Sequence, residues 1–211
     1  MYVIKSPGFL NKISHENITW RMDPEKPDIY LTFDDGPVPD LTEKILDILE
    51  EKNVFASFFH VGDNVRKHPD IFKKVIDAGH SIGNHSFHHL NGWRSSNHSY
   101  IRDVNTFNDY YPTKLFRPPY GRIKLSQIRE LRKYYHIVFW SILSGDFDQR
   151  TKPETCFMNV KKNLHNGAII VFHDNFKAAD NVLYALPAVI DYAKERGYTF
   201  KAIEQTKKDK I

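Results

Sequence analysis

From residue 29 onward the chain alternates short apolar runs with segments of helical period, and this alternation constrains the fold more than any other feature. Runs at 29–33, 55–59, 81–83, 115–117, 136–140, 168–172 and 199–202 have the length and the β-branched or aromatic content of buried strands. Asp40, with Glu43 three residues later, forms a capping box that opens a helix on which Leu41, Ile45 and Leu49 recur at helical spacing. Pro69 suits the first turn of a helix running to Ala78, and Gly79 stands where a left-handed residue ends it. Further helices are expected at 100–111, at 126–134, from a second capping box of Thr151 and Glu154 to Leu164, and at 180–196. Pro187 gives the last of these a break or a fresh start, and Gly197 ends it. Seven strands, nearly all separated by helices, imply parallel pairing through right-handed crossovers. So regular a pattern favours an α/β fold of one domain, a distorted, TIM-like (β/α)7 barrel over 29–203, rather than an open doubly wound sheet. Residues 1–28, with Pro7, Pro24 and Pro27, read as a lead-in that Trp20 anchors to the body, and 204–211 as a basic tail.

Composition narrows the function classes. A chain of 211 residues suits a single domain, and no apolar run approaches the roughly 18 residues of a membrane span. The lone Cys156 excludes an intrachain disulfide. The net charge of +4 is spread along the chain, and only Lys207-Lys208-Asp209-Lys210 is densely basic. That run reads as a solvated terminus, so no nucleic-acid partner is expected. The first eight residues lack the roughly 7–15 apolar residues of a secretory signal, which makes a cytoplasmic protein the expectation. No heptad seam or long apolar edge points to an oligomer. Eleven histidines are the unusual entry in the composition.

The polar residues gather where strands end. Asp34-Asp35 follow the first strand, His85 and His89 the third, Arg117 ends the fourth, Asp146 follows the fifth and His173 the sixth. In a barrel these C-terminal ends meet at one mouth, where active sites of that architecture are built. Asp-Asp-Gly-Pro is commonly a turn capping its own backbone, and adjacent strand residues point to opposite faces, so Asp34 and Asp35 share a site only where the strand bends. His85 and His89, on an opening helix, stand one turn apart, a spacing that lets two imidazoles grip one metal ion while His88 points elsewhere. Two imidazoles and one carboxylate leave open positions, as a catalytic divalent site requires. Zinc suits this donor set, which also accepts Co2+ or Ni2+. Arg117-Pro118-Pro119-Tyr120-Gly121 is a stiff turn that fixes a guanidinium at a strand end and is expected to turn the Tyr120 N–H to the pocket. Asp146 and His173 form a candidate carboxylate–imidazole pair, with Asp148 and Asp174 as local competitors that spacing leaves open. His15, His60, His68, His98, His136 and His165 have no partners in sequence and read as structural. Trp93 and Tyr120 are candidates to stack on a sugar ring or to close the rim.

Taken together, Thr32-Phe33-Asp34-Asp35-Gly36-Pro37, Gly83-Asn84-His85-Ser86-Phe87-His88-His89, Arg117-Pro118-Pro119-Tyr120-Gly121 and Val171-Phe172-His173 resemble, in order, the motifs of the polysaccharide deacetylases, the family four carbohydrate esterases. The resemblance covers roughly Ile29 to Ile203. It implies a distorted (β/α)7 barrel and metal-dependent removal of acetyl groups, mostly from N-acetylated saccharides, a hydrolysis of carbon–nitrogen bonds other than peptide bonds. By the same resemblance Asp34 is the general base, Asp35, His85 and His89 hold the metal, Arg117 orients Asp34, His173 is the general acid, and Asp146 tunes the surroundings of Arg117 and His173. The Tyr120 N–H is expected to hold the developing oxyanion. Leu143 stands where members often carry an acid, and Phe147 where they often carry Trp, departures that bear on the substrate groove. The competing readings are an O-acetyl esterase or small cyclic-amide hydrolase on the same site, and a non-catalytic sugar- or metal-binding relative.

Overall fold

The strand β2 (Asp28–Asp35) is buried at all but its last residue, as a strand covered on both faces must be. In the computed structural model, which describes residues 4–6 and 17–204, β2 lies at the centre of a sheet with β1 (Ile18–Thr19), β3 (Ser57–His60), β4 (Ser81–Asn84), β5 (Leu115–Phe116), β6 (His136–Val138), β7 (Ile142–Leu143), β8 (Ile169–His173) and β9 (Thr199–Phe200). His15, Pro7 and the basic run at 207–210 lie outside the described residues. The order is β1-β6-β5-β4-β3-β2-β8-β7, with β9 beside the start of β2, and every ladder between these strands is parallel. Crossovers run through α1 (Leu41–Glu51), α2 (Gly62–Lys67), α3 (Pro69–Asp77), α4 (Asn97–Thr106), α5 (Leu125–Leu131), α6 (Pro153–Lys161) and α7 (Ala179–Glu195).

The sheet curls because of its chain connections. β6 pairs with β5 on one side of the path, whereas β7 pairs with β8 on the other, yet only residues 139–141 separate them. Four residue steps extend at most about 14 Å. The two sides of the sheet must therefore approach each other, which gives the distorted (β/α)7 barrel expected. Alternation along β2 sorts the core. Ile29, Leu31 and Phe33 face the helices and pack with Ile45, Leu49, Leu186 and Ile190, while Tyr30 packs inward with Phe59, Leu115, Val138, Ile169 and Ile203. Burial of each large apolar side chain stabilises the fold by about 1.5–3 kcal/mol, and a slip of one residue would exchange the two sets.

Several details depart from the sequence reading. The run 136–140 is not one strand: the chain leaves β6 after Val138, and the separate β7 is too short for a periodic signal. Helix α6 starts at Pro153 rather than at a Thr151 cap, since the proline occupies the first helical position where its missing N–H costs nothing. Helix α7 runs unbroken through Pro187. An interior proline costs about 3 kcal/mol, whereas the buried Val182, Leu186, Val189 and Ile190 together contribute about 6–12 kcal/mol. In the lead-in, β1 adds to β6, Trp20 stacks on Phe139 with ring centroids 3.9 Å apart, and the Met22 N–H donates to the Gly167 carbonyl at 2.8 Å. The left-handed residue expected after α3 is Gly79, at φ 78°.

Candidate active site

Parallel register does the first part of the placing. Asp34 of β2 lies opposite His173 of β8 and Phe59 of β3, so Asp34 and His173 stand side by side at the barrel mouth. Arg117, just past β5, reaches Asp34. It is fully buried, and its guanidinium donates to Asp34 Oδ1 (2.7 Å), Thr32 Oγ1 (2.8 Å) and the carbonyls of Val138 (3.1 Å) and Phe139 (3.2 Å), over the Phe59 ring at 4.1 Å. Burial draws the guanidinium pKa down and Asp34 opposes that, leaving a planar cation that locks one carboxylate oxygen. The other, Oδ2, lies 3.9 Å from His85 Nε2.

Asp35 is separated from Asp34 by a bend rather than by strand alternation. Its φ is 87°, its carbonyl accepts from Asn64 Nδ2 (2.8 Å), and the turn continues through a cis Gly36–Pro37 peptide. Gly36 is required there, because a Cβ would run into the Asp174 carboxylate, which accepts the Gly36 N–H at 2.8 Å. Thus bent, Asp35 puts Oδ1 3.1 Å from His89 Nε2 and 3.6 Å from His85 Nε2, and its Oδ2 accepts from Asn175 Nδ2 at 2.6 Å. Burial pushes the Asp35 carboxyl up, but the hydrogen bond of His89 and the charge of His173, with the His85 and His89 imidazoles alongside, outweigh it and hold the group well below the usual carboxylate range.

The histidine pair converges by a route the sequence did not suggest. Residues 85–89 form a loop, not the start of a helix, and the N–H groups of 86–88 are taken by side chains: Ser86 donates to Asn84 Oδ1 (2.7 Å), and Phe87 and His88 donate to Asp103 Oδ2 (3.1 and 3.0 Å). Such local acceptors compete with helix formation. Ser86 at φ 62° and His89 at φ 56° complete the reversal. His85 Nδ1 lies 2.8 Å from the Arg117 carbonyl, which only accepts, so Nδ1 carries the proton and Nε2 presents a lone pair to the site. Burial pushes the His85 pKa down to about 4, keeping it neutral. The donor atoms of Asp35, His85 and His89 all lie within 4.8 Å of one another. A carboxylate oxygen and two imidazole nitrogens at that separation fit a divalent ion with open positions.

On the far side, His173 Nδ1 donates to Asp146 Oδ1 (2.8 Å) and its N–H to Asp146 Oδ2 (2.7 Å), and Ser144 Oγ donates to the same carboxylate at 2.8 Å. Asp146 is therefore the partner that spacing left open. Asp174 turns away to Gly36 and Thr42, and Asp148 lies against Arg150. Burial works against the charged imidazolium, but the charge and hydrogen bond of Asp146, with Asp35 and Asp34 behind, raise the His173 pKa to about 9. Phe147 meets the His173 ring edge-on at 5.0 Å. Tyr120, at φ 60°, is 58% exposed with its ring 4.5 Å from that of His89, and its N–H is bound to no other described residue. Trp93 is 60% exposed and donates Nε1–H to the Ile123 carbonyl at 3.2 Å.

A family model described as polysaccharide deacetylase matches residues 21–137, more than half of the chain. The chain belongs to the polysaccharide deacetylase family. A peptidoglycan-N-acetylglucosamine deacetylase of Bacillus cereus is 30% identical over 195 residues, which are 89% of this chain and 92% of that protein. The crystal structure of the Bc1960 peptidoglycan N-acetylglucosamine deacetylase, in complex with an N-oxidanyl-benzamide, superposes with a TM-score of 0.82 at 32% identity, over 89% of this chain and 91% of that one. A CE4 family pseudoenzyme from Bacillus anthracis superposes at 0.78 with 25% identity, over 91% and 69%.

In this family member, the sequence candidates Asp34, Asp35, His85, His89, Arg117, Asp146 and His173 come together at the mouth, whereas several residues that support them were missed. Asp103, Asn64 and Asn175 carried no motif, and Thr32 and Ser144, though they stand beside motif residues, had no role assigned to them. Asp103 left a faint signal, an acid on the buried stripe of α4 between Tyr100 and Val104. No described helix is long and apolar enough to cross a membrane.

Proposed function

We propose that the chain is a metal-dependent hydrolase that removes acetyl groups from N-acetylated sugars, with peptidoglycan N-acetylglucosamine as the first substrate class to test. The observation that carries this reading is the pairing of Asp34 and His173 across one register step, each with its own buried partner, beside three convergent donors. Simple metal or sugar binding requires neither Asp34 nor His173. Held by Asp35, His85 and His89, a divalent ion, zinc by preference with Co2+ or Ni2+ also suited, supplies Lewis acidity toward the acetyl carbonyl and a more acidic water.

The remaining work falls to side chains of this chain. Asp34, held through Oδ1 by Arg117, takes the proton of the attacking water on its free Oδ2. The Tyr120 N–H donates to the acetyl oxygen as negative charge develops there, a type of contact whose loss typically costs about 2.7–4 kcal/mol. His173, charged and oriented by Asp146, gives its Nε2 proton to the sugar nitrogen as the C–N bond breaks, so that acetate and a free amine leave. Each proton transfer of this kind contributes about 10²–10⁴-fold. The test is acetate release from N-acetylglucosamine oligomers, peptidoglycan fragments, acetylated xylan and small cyclic amides. Asp34→Asn is expected to lose activity by about that factor with its fold intact, and full acetate release from it overturns the assignment.

A further inference from the structure

We propose that Asn175 is a positioning residue that fixes how Asp35 presents itself to the ion. The inference rests on reading Asp35, His85 and His89 as metal donors. A free carboxylate turns about its terminal torsion and offers either oxygen, or both. Here Asn175 Nδ2 donates to Oδ2 at 2.6 Å, which leaves Oδ1 as the oxygen on the imidazole side, 3.1 Å from His89 Nε2 and 3.6 Å from His85 Nε2. Asp35 is thereby set to give one oxygen at one angle.

The orientation of the Asn175 amide is itself decided by its surroundings. Its Oδ1 accepts the backbone N–H groups of Lys177 (3.0 Å) and Ala178 (3.2 Å), just before α7, so the NH2 end must face Asp35. A residue of the β8–α7 loop, two positions after His173, thus reaches across to a carboxylate on β2. Asn64 of α2 holds the Asp35 carbonyl at 2.8 Å, and the two asparagines grip the side chain and the backbone of a residue whose φ of 87° is not self-sustaining.

Two variants separate the grip on Asp35 from the cap on the loop. Asn175→Ser keeps a short oxygen acceptor for the Lys177 and Ala178 N–H groups but does not reach Asp35, whereas Asn175→Leu removes both contacts. The full chain, stripped with a chelator, is titrated with Zn2+ against a chromophoric competitor, and with Co2+ by its visible absorption. Loss of a group that orients a metal ligand typically weakens affinity about 10–100-fold. Both variants are expected to show that loss and an altered Co2+ spectrum, and only Asn175→Leu to melt earlier when metal-free. Affinity of Asn175→Ser within about twofold of wild type, well short of the 10–100-fold loss, overturns the proposal. A wild-type chain that binds no Zn2+ instead overturns the donor assignment beneath it.

Discussion

Arg117→Met removes a cation that is fully buried and makes four hydrogen bonds, one of them to Asp34, itself buried. Methionine fills much of the volume but leaves the Asp34 carboxylate without its ion partner and the Val138 and Phe139 carbonyls without donors. Breaking one side of a buried pair costs about 3–5 kcal/mol, because an uncompensated charge remains. For a domain of this size each kcal/mol moves the melting point by about 2–4 °C, so the fall is about 6–20 °C. The measurement is thermal unfolding with a chelator present throughout, which removes the stabilisation that ion binding would add. Asp34→Leu in the same chain should restore most of the loss, since a buried pair replaced by apolar groups is close to neutral. If Arg117→Met costs under about 1 kcal/mol, or the double variant is no more stable than the single one, then the ion pair does not hold this barrel mouth in the way argued.

Asp146→Asn takes away the main group that raises the His173 pKa to about 9 from its ordinary 6.5. For a base raised on folding, the stabilisation is full below 6.5 and is lost as pH rises through about 9, so the variant should cost the metal-free protein more at about pH 6 than at about pH 10, as denaturant titrations would read. The alkaline limb of kcat/KM should also move to lower pH, because His173 must be protonated to act as an acid. His60 is fully buried between Phe58 and Phe72, with ring centroids 5.5 and 5.6 Å away, and burial pushes its pKa down to about 3. A base lowered on folding loses stability as pH falls from 6.5 toward that value, so His60→Phe is expected to gain on wild type steadily between about pH 6.5 and pH 4 in chemical unfolding, and a constant difference would refute it.

How much of this was legible in the sequence depends on whether a feature is local. Strand β2 announced itself because Ile29, Leu31 and Phe33 alternate with Tyr30, Thr32 and Asp34, and the helices α1 and α3 because their caps and apolar spacing lie within one segment. The mouth followed, since placing acids and histidines at strand ends needs only the direction of the strands. What failed to show were contacts made across the fold. The acceptors that hold the N–H groups of residues 86–88 come from Asn84 and from Asp103 on α4, and the residue that grips Asp35 comes from a loop 140 positions away. Spacing could not choose among Asp146, Asp148 and Asp174 because the choice is set by which carboxylate lies beside β8 once the sheet has curled. A helix was expected at His85–His89 because one-turn spacing brings two side chains together, but left-handed residues at both Ser86 and His89 bring the same imidazoles together in a loop.

Backbone geometry explains why so many supporting contacts gather here. Of the six described non-glycine residues with positive φ, four, Asp35, Ser86, His89 and Tyr120, lie at or beside the candidate metal donors Asp35, His85 and His89, and only Asp40 and Asn53 lie elsewhere. A non-glycine residue held in such a conformation costs about 1–3 kcal/mol, so the mouth carries about 4–12 kcal/mol of local strain, comparable with the net stability of a typical domain. It persists only where neighbours over-determine it. Asp35 has Asn64 on its carbonyl and Asn175 on its carboxylate, and the Ser86 N–H is held by Asn84. His89 has its Nε2 against Asp35 and its ring against Tyr120. Removing any one of these contacts lets a strained residue relax toward an ordinary conformation, and each such relaxation swings a donor atom or an N–H away from the point the others share. The contacts missed in the sequence are thus the ones that keep the motif residues aimed at one place before a substrate arrives.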